Sequence, residues 1–79
     1  MNLEERAAEL ARRTGIRVEP ALALARAGSL DVLRFERIVD AVVAAEIQRG
    51  ECRPEHAAAR RQAIEQALAD LAATAPPRH

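Results

Sequence analysis

Residues 29–49 read SLDVLRFERIVDAVVAAEIQR, and this stretch decides the fold. Its pattern predicts one long helix from Ser29 to Arg49 with an unusually wide apolar face. At about 100° per residue, six apolar side chains form a continuous arc, and Glu46 lies within it. We expect this face to contact a partner, most simply a second copy of the chain. The interface residues that this pattern predicts are Val32, Phe35, Ile38, Val39, Val42, Val43 and Glu46.

The length of the chain limits how much core it can build. Seventy-nine residues are enough for one domain. Chains of this size bury only about 60–65% of their unfolded surface, and they usually need a disulfide, a metal or oligomerisation. Cys52 is the only cysteine, so an intrachain disulfide is excluded. We therefore expect residues 1–74 to form one helical domain stabilised as a homodimer, with residues 75–79 as a disordered tail.

The rest of the chain predicts three further helices and shows no strand pattern. Asn2 begins the first helix with a capping box, and Gly15 supplies the left-handed residue at its end. Pro20 is expected at the first position of the second helix, and Ser29 is expected to cap the third. The predicted helices are Leu3 to Thr14, Pro20 to Ala27, Ser29 to Arg49 and Pro54 to Ala73. The expected fold is all-α: the third and fourth helices form an antiparallel hairpin, and the first two pack over one end.

The composition excludes several classes of function. Twelve arginines balance twelve acidic residues, and this neutrality argues against binding nucleic acid or membranes mainly by electrostatic attraction. Phe35 is the only aromatic residue, so there is no aromatic surface on which bases or sugars could stack. We expect no signal peptide, because Glu4 and Glu5 follow the start, and no membrane span. A single free cysteine fits a cytoplasmic protein.

Cys52 and His56 are the residues with the most reactive side chains, and they lie four apart at the start of the fourth helix. A metal site needs three or four ligands at defined spacing, whereas Glu51 and Glu55 beside them are ordinary surface acids. No third group orients the histidine for catalysis by the cysteine. A metal-dependent sensor or enzyme centred on Cys52 and His56 is kept only as an alternative in which a dimer joins two half-sites. We expect a non-catalytic protein without metal or cofactor.

Glu46 lies in the middle of the apolar arc, between Val39 and Val42 by angle. A carboxylate at that position is costly to bury unless it is paired. The preferred interpretation is that the last turn of the helix emerges into solvent. The alternative is an ion pair that fixes the register of packing, either across a partner interface or within the chain with Arg60 or Arg61.

Residues 9–16 read ELARRTGI and are followed by a second short helix from Pro20 to Ala27. Gly15 lies four residues after Ala11, and this pattern resembles a helix-turn-helix motif. The resemblance implies a dimeric DNA-binding regulator, whose basic contacts would be Arg12, Arg13, Arg17 and Arg26. The second helix consists mostly of Ala and Leu, which cannot hydrogen-bond to base edges. DNA binding is therefore the alternative function.

The same region contains a second pattern. Its residues are Thr14-Gly15 in the first turn, Ala21-Leu22 in the second helix and Gly28 to Asp31 before the third. This pattern resembles the three-helix ubiquitin-associated fold found at the front of bacterial elongation factor Ts. The resemblance implies a protein-binding module, and it covers neither the full third helix nor the fourth.

Surplus apolar surface and the lack of a catalytic motif together favour a small cytoplasmic interaction or regulatory module. We expect it to self-associate and to bind another protein whose identity the sequence does not reveal. The alternative is the helix-turn-helix regulator, which would bind DNA as a dimer.

Overall fold

A computed structural model describes residues 2–28 and 31–74, and in that part of the chain every regular element is a helix. The elements are α1 (Leu3–Thr14), α2 (Val18–Ala27), α3 (Val32–Gln48) and α4 (Ala57–Thr74), with a short 3-10 helix at Pro54–His56 before α4. The prediction of a small all-α domain is confirmed. None of the described helices combines the length and the apolar character needed to cross a bilayer.

α1 has both of its predicted bounds. The Asn2 side chain accepts a hydrogen bond from the Glu5 backbone N–H at 2.7 Å, and the Glu5 carboxylate accepts one from the Asn2 N–H at 2.9 Å. This reciprocal capping box satisfies amide groups that the helix itself leaves unpaired. Gly15 ends α1 at φ 78°, a left-handed conformation that glycine adopts without steric cost.

α2 begins at Val18, so the predicted start at Pro20 is wrong by two residues. Arg17 caps the helix, and its carbonyl accepts the first helical hydrogen bond from the Ala21 N–H at 3.1 Å. Pro20 therefore occupies the third helical position rather than the first. Because the first N–H groups of a helix have no partner within it, a proline at this position removes no hydrogen bond.

α3 begins at Val32, later than predicted, because Asp31 caps it. The Asp31 carboxylate accepts a hydrogen bond from the Arg34 N–H at 3.0 Å, which is the contact a helix cap supplies. Ser29, which we expected to cap this helix, lies outside the described residues, as do residues 75–79 of the predicted tail.

The connection between α3 and α4 folds back onto the last turn of α3. The Glu46 carbonyl accepts hydrogen bonds from the N–H groups of Glu51 and Cys52, at 2.8 and 3.3 Å. Gly50 adopts φ 74° in this turn. The result is the predicted antiparallel hairpin of α3 and α4.

The core lies where α1 and α2 close this hairpin. α1 packs against α2 and α4, and α3 packs against α2 and α4. The largest fully buried side chains are Leu10, Leu24, Val39, Ile64 and Leu71. Ala7 and Ala21 are almost fully buried as well, and such small side chains let helices approach closely. On α3, Val39 and Val43 lie in this core, whereas Ile38 and Val42 pack against its edge and stay half-buried.

Candidate interaction groove

The apolar face that the sequence predicts on α3 is divided between the core and the surface. Val39 and Val43 are 0% and 3% exposed, and Glu46 is 5% exposed, so these three have their contacts within the chain. The remaining predicted interface residues are half-buried or exposed, and they are Val32, Phe35, Ile38 and Val42. Of the predicted interface residues, this second group is the one that presents surface to the outside of the domain.

An open groove of about 810 Å³ lies between α3 and the segment that joins α1 to α2. The wall on the side of that segment is formed by Gly15, Ile16, Arg17 and Pro20. The α3 side presents four aliphatic residues, which we call the α3 stripe: Ile38, Ala41, Val42 and Ala45. Their spacing of i, i+3, i+4 and i+7 places them on one side of the helix. The floor of the groove is therefore aliphatic and continuous.

Arginines surround this floor. They are Arg17, Arg34, Arg37 and Arg49. The Glu51 carboxylate lies 3.1 Å from Arg49 and 3.8 Å from Arg17. The hydrogen bond from Arg49, together with the charge of Arg17, lowers the pKa of Glu51. Within residues 2–28 and 31–74, no acidic side chain forms an ion pair with Arg34 or Arg37.

Glu46 is buried, so the expectation that the end of α3 emerges into solvent there is wrong. Its side chain is 7% exposed, and its two carboxylate oxygens accept hydrogen bonds of 2.8 Å from Nε and Nη2 of Arg60. The alternative of an ion pair within the chain is the arrangement found, whereas Arg61 pairs with Asp40 at 3.1 Å. The hydrogen bonds to Glu46 raise the pKa of Arg60. This bidentate pair joins α3 to α4 and favours one register between them.

The four arginines that could contact DNA do not form one free basic surface. Arg12 and Arg13 both hydrogen-bond to the Glu9 carboxylate. Hydrogen bonding from Arg12, and to a smaller extent from Arg13, lowers the pKa of Glu9 to about 2. Arg17 lies at the groove, whereas Arg26 is exposed on α2.

Cys52 and His56 lie in the connection that leads into α4. Cys52 is half-buried and its Sγ donates to the Arg53 carbonyl at 3.5 Å, while His56 is exposed at the end of the 3-10 helix. Among the described residues, no three side chains of His, Cys, Asp or Glu are grouped in a way that could hold a metal ion.

The charged residues of the groove that sequence analysis missed are Arg34, Arg37, Arg49 and Glu51. One signal for two of them is present in the sequence. Arg34 precedes Ile38 by four residues and Arg37 precedes Ala41 by four, so each arginine extends a row of the α3 stripe by one turn. Nothing local in the sequence indicates that the turn after α1 approaches this side of α3.

Comparison of the chain with protein-family models, with curated proteins and with solved structures finds no match. The similarities to the helix-turn-helix motif and to the ubiquitin-associated fold therefore remain resemblances. The groove is the observation from which a function can be inferred.

Proposed function

We propose that the chain is a non-catalytic interaction module that binds one helix of a partner protein in the groove along α3. The observation that carries this proposal is the α3 stripe, whose Ile38 and Val42 pack against the edge of the core beside Val39 and Val43 but stay only half-buried where they line the groove. A helix needs one apolar face to pack into its own domain. Apolar surface that stays uncovered along a groove is the surface on which amphipathic partner helices dock in other proteins.

The dimensions of the groove fit a helix. α3 has 17 residues and is therefore about 25 Å long at 1.5 Å per residue. Ala41 and Ala45 are small, so the axis of a second helix could approach to about 8–10 Å. Pro20, which is half-buried on the opposite wall, would contact the other side of such a helix. A partner helix of about four turns would cover the floor and reach from Arg34 to Arg49.

Self-association through α3 stays a prediction. Of the four residues left for it, Ile38 and Val42 line the groove, whereas Val32 and Phe35 do not, so a second copy and a partner helix would compete for part of one surface. In a symmetric dimer each groove would face its own copy. The four arginines of each groove would then meet those of the other copy, with Glu51 of each copy as the acidic side chain that offsets them, which favours a partner of different sequence.

A designed peptide tests this function. The probe is a helical peptide of about 18 residues with leucines at i, i+3, i+4 and i+7 and with alanine and glutamine elsewhere. We expect binding that shifts backbone amide resonances of the residues lining the groove. A peptide of identical composition, with its leucines spread around the helix, is the matched control and should not bind. Equal binding of both peptides, or shifts confined to other surfaces, would contradict the proposal.

A DNA-binding regulator is the second candidate, because α1 and α2 pack closely across the three-residue segment 15–17, as in a helix-turn-helix. The start of α2 exposes the acidic Glu19 and the apolar Val18, which is 60% exposed and cannot hydrogen-bond to a base. We expect no retention of duplex DNA even at low salt. Retention that weakens steeply with salt and is lost in Arg17→Ala/Arg26→Ala would favour the regulator instead.

A further inference from the structure

Positive charge is concentrated at the groove although the chain as a whole is neutral. Twelve arginines balance twelve acidic residues overall, whereas the groove is lined by four arginines and two glutamates. One of these glutamates, Glu46, is already neutralised by its bidentate pair with Arg60. Glu51 is therefore the one acidic side chain in the lining that offsets the four arginines.

The arginines form two groups at the two ends of the groove. Arg34 and Arg37 lie toward the start of α3, are exposed, and pair with no acidic side chain in the described part of the chain. Arg49 follows the end of α3 and shares Glu51 with Arg17. The fifteen positions from Arg34 to Arg49 correspond to about 22 Å along a helix.

We propose that the partner helix is acidic, with carboxylates beside both ends of its apolar stripe, and that Glu51 occupies one anion position until a partner carboxylate displaces it. This inference rests on the proposed function and adds two things to it. It assigns the charge of the partner helix, and it identifies Glu51 as a group within the chain that lowers the affinity for that helix.

The contacts of Glu51 are weak enough for a partner carboxylate to displace it from the arginines. Its carboxylate is held by one hydrogen bond of 3.1 Å from Arg49 and one longer contact of 3.8 Å to Arg17, and its side chain is 49% exposed. Ion pairs this exposed contribute little and exchange readily. A carboxylate on a helix packed over the groove would meet the same arginines with less water around them, where the attraction is stronger.

A second copy of the chain does not supply the required charge. Its α3 stripe is flanked by arginines, so two grooves placed face to face would bring like charges together. The exposed acidic residues of α3, Glu36 and Asp40, lie about 160° around the helix from Ile38. Asp40 is also paired with Arg61. The charge pattern therefore favours an acidic helix of another protein.

Three helical peptides that share the same leucine stripe test the charge of the partner. Their flanking positions carry glutamate, glutamine or lysine, and their affinities are measured by calorimetry at low salt. We expect the glutamate peptide to bind about tenfold more tightly than the glutamine peptide, and the lysine peptide to bind most weakly. Added salt should reduce this difference. The double substitution Arg34→Glu/Arg37→Glu should reverse the order.

The substitution Glu51→Gln tests whether Glu51 competes with the partner carboxylates for the arginines. It should strengthen binding of the glutamate peptide about three- to tenfold and leave the glutamine peptide unchanged. Arg53→Glu is the charge control for the arginine substitutions, because Arg53 is exposed and does not line the groove. It should change no affinity by more than about twofold. Circular dichroism confirms that each variant is folded.

The outcomes separate this inference from the proposed function. If the glutamine peptide binds as tightly as the glutamate peptide, the groove binds helices but the inferred charge of the partner is wrong. If Glu51→Gln leaves the affinity for the glutamate peptide unchanged or weakens it, Glu51 is not a competitor. If none of the three peptides binds, the proposed function fails as well. A dimer that no peptide dissociates would overturn the acidic partner in favour of a second copy.

Discussion

Arg60→Ala is expected to leave the chain largely unfolded at room temperature. The substitution would leave the Glu46 carboxylate, which is 7% exposed, without a partner between α3 and α4. Removing one partner of a buried ion pair lowers the free energy of unfolding by about 3–5 kcal/mol. A core in a chain this small rarely supplies more than about 3–5 kcal/mol of stability. Far-UV circular dichroism and urea denaturation of the variant and the wild type measure the loss.

Two further variants separate the buried charge from other effects of the substitution. Arg61→Ala removes an ion pair with Asp40 in which both side chains are 40% or more exposed, so it should cost under about 1 kcal/mol. Glu46→Leu/Arg60→Leu replaces the pair with apolar side chains and should recover most of the stability. If Arg60→Ala unfolds at the same urea concentration as the wild type, Glu46 is not a buried charge in solution.

Val39→Glu is expected to unfold the chain, whereas Val42→Glu should leave it folded and remove binding at the groove. Val39 is 0% exposed in the core, so a carboxylate there would be buried without a partner. Val42 is half-buried on the α3 stripe, where a carboxylate can reach solvent. We expect Val42→Glu to weaken binding of the neutral leucine peptide at least about tenfold, by loss of apolar contact.

The two valines make a matched pair, because the same substitution is placed three residues apart on one helix. Circular dichroism reports folding, light scattering reports the oligomeric state, and peptide titration reports the groove. Since Val39 is buried within a single chain, loss of a dimer in Val39→Glu would reflect unfolding and would not locate an interface. Wild-type affinity in a folded Val42→Glu variant would show that peptides do not bind on the α3 stripe.

The features that could be predicted from the sequence depend on neighbours along the chain. The capping box at Asn2 and the left-handed Gly15 involve residues within four positions of each other, and both were predicted with the bounds of α1. The starts of α2 and α3 were wrong by a few residues. At those positions more than one residue can cap a helix. Arg17 caps α2, which was expected to begin at Pro20, and Asp31 caps α3, for which Ser29 was the expected cap.

The ion-pair partner of Glu46 could not be identified from the residues near it in the chain. The sequence indicated that this carboxylate lies on an apolar arc, but its preferred interpretation, exposure to solvent, was wrong. Arg60 lies fourteen residues away, on the other helix of the hairpin. A spacing along one helix cannot show which of Arg60 and Arg61 faces Glu46, because that depends on the rotation of α4 about its own axis.

The sequence by itself determined four helices, their order and their ends to within about three residues, because capping and helical periodicity act over one or two turns. It also determined that α3 carries more apolar side chains than one core stripe needs. Only the tertiary structure decided which of them are buried, since that depends on where α2 and α4 cross α3. The same crossings place the turn after α1 beside the α3 stripe and bring Arg17 to Glu51, thirty-four residues along the chain. The groove and its charge therefore arise from packing between helices.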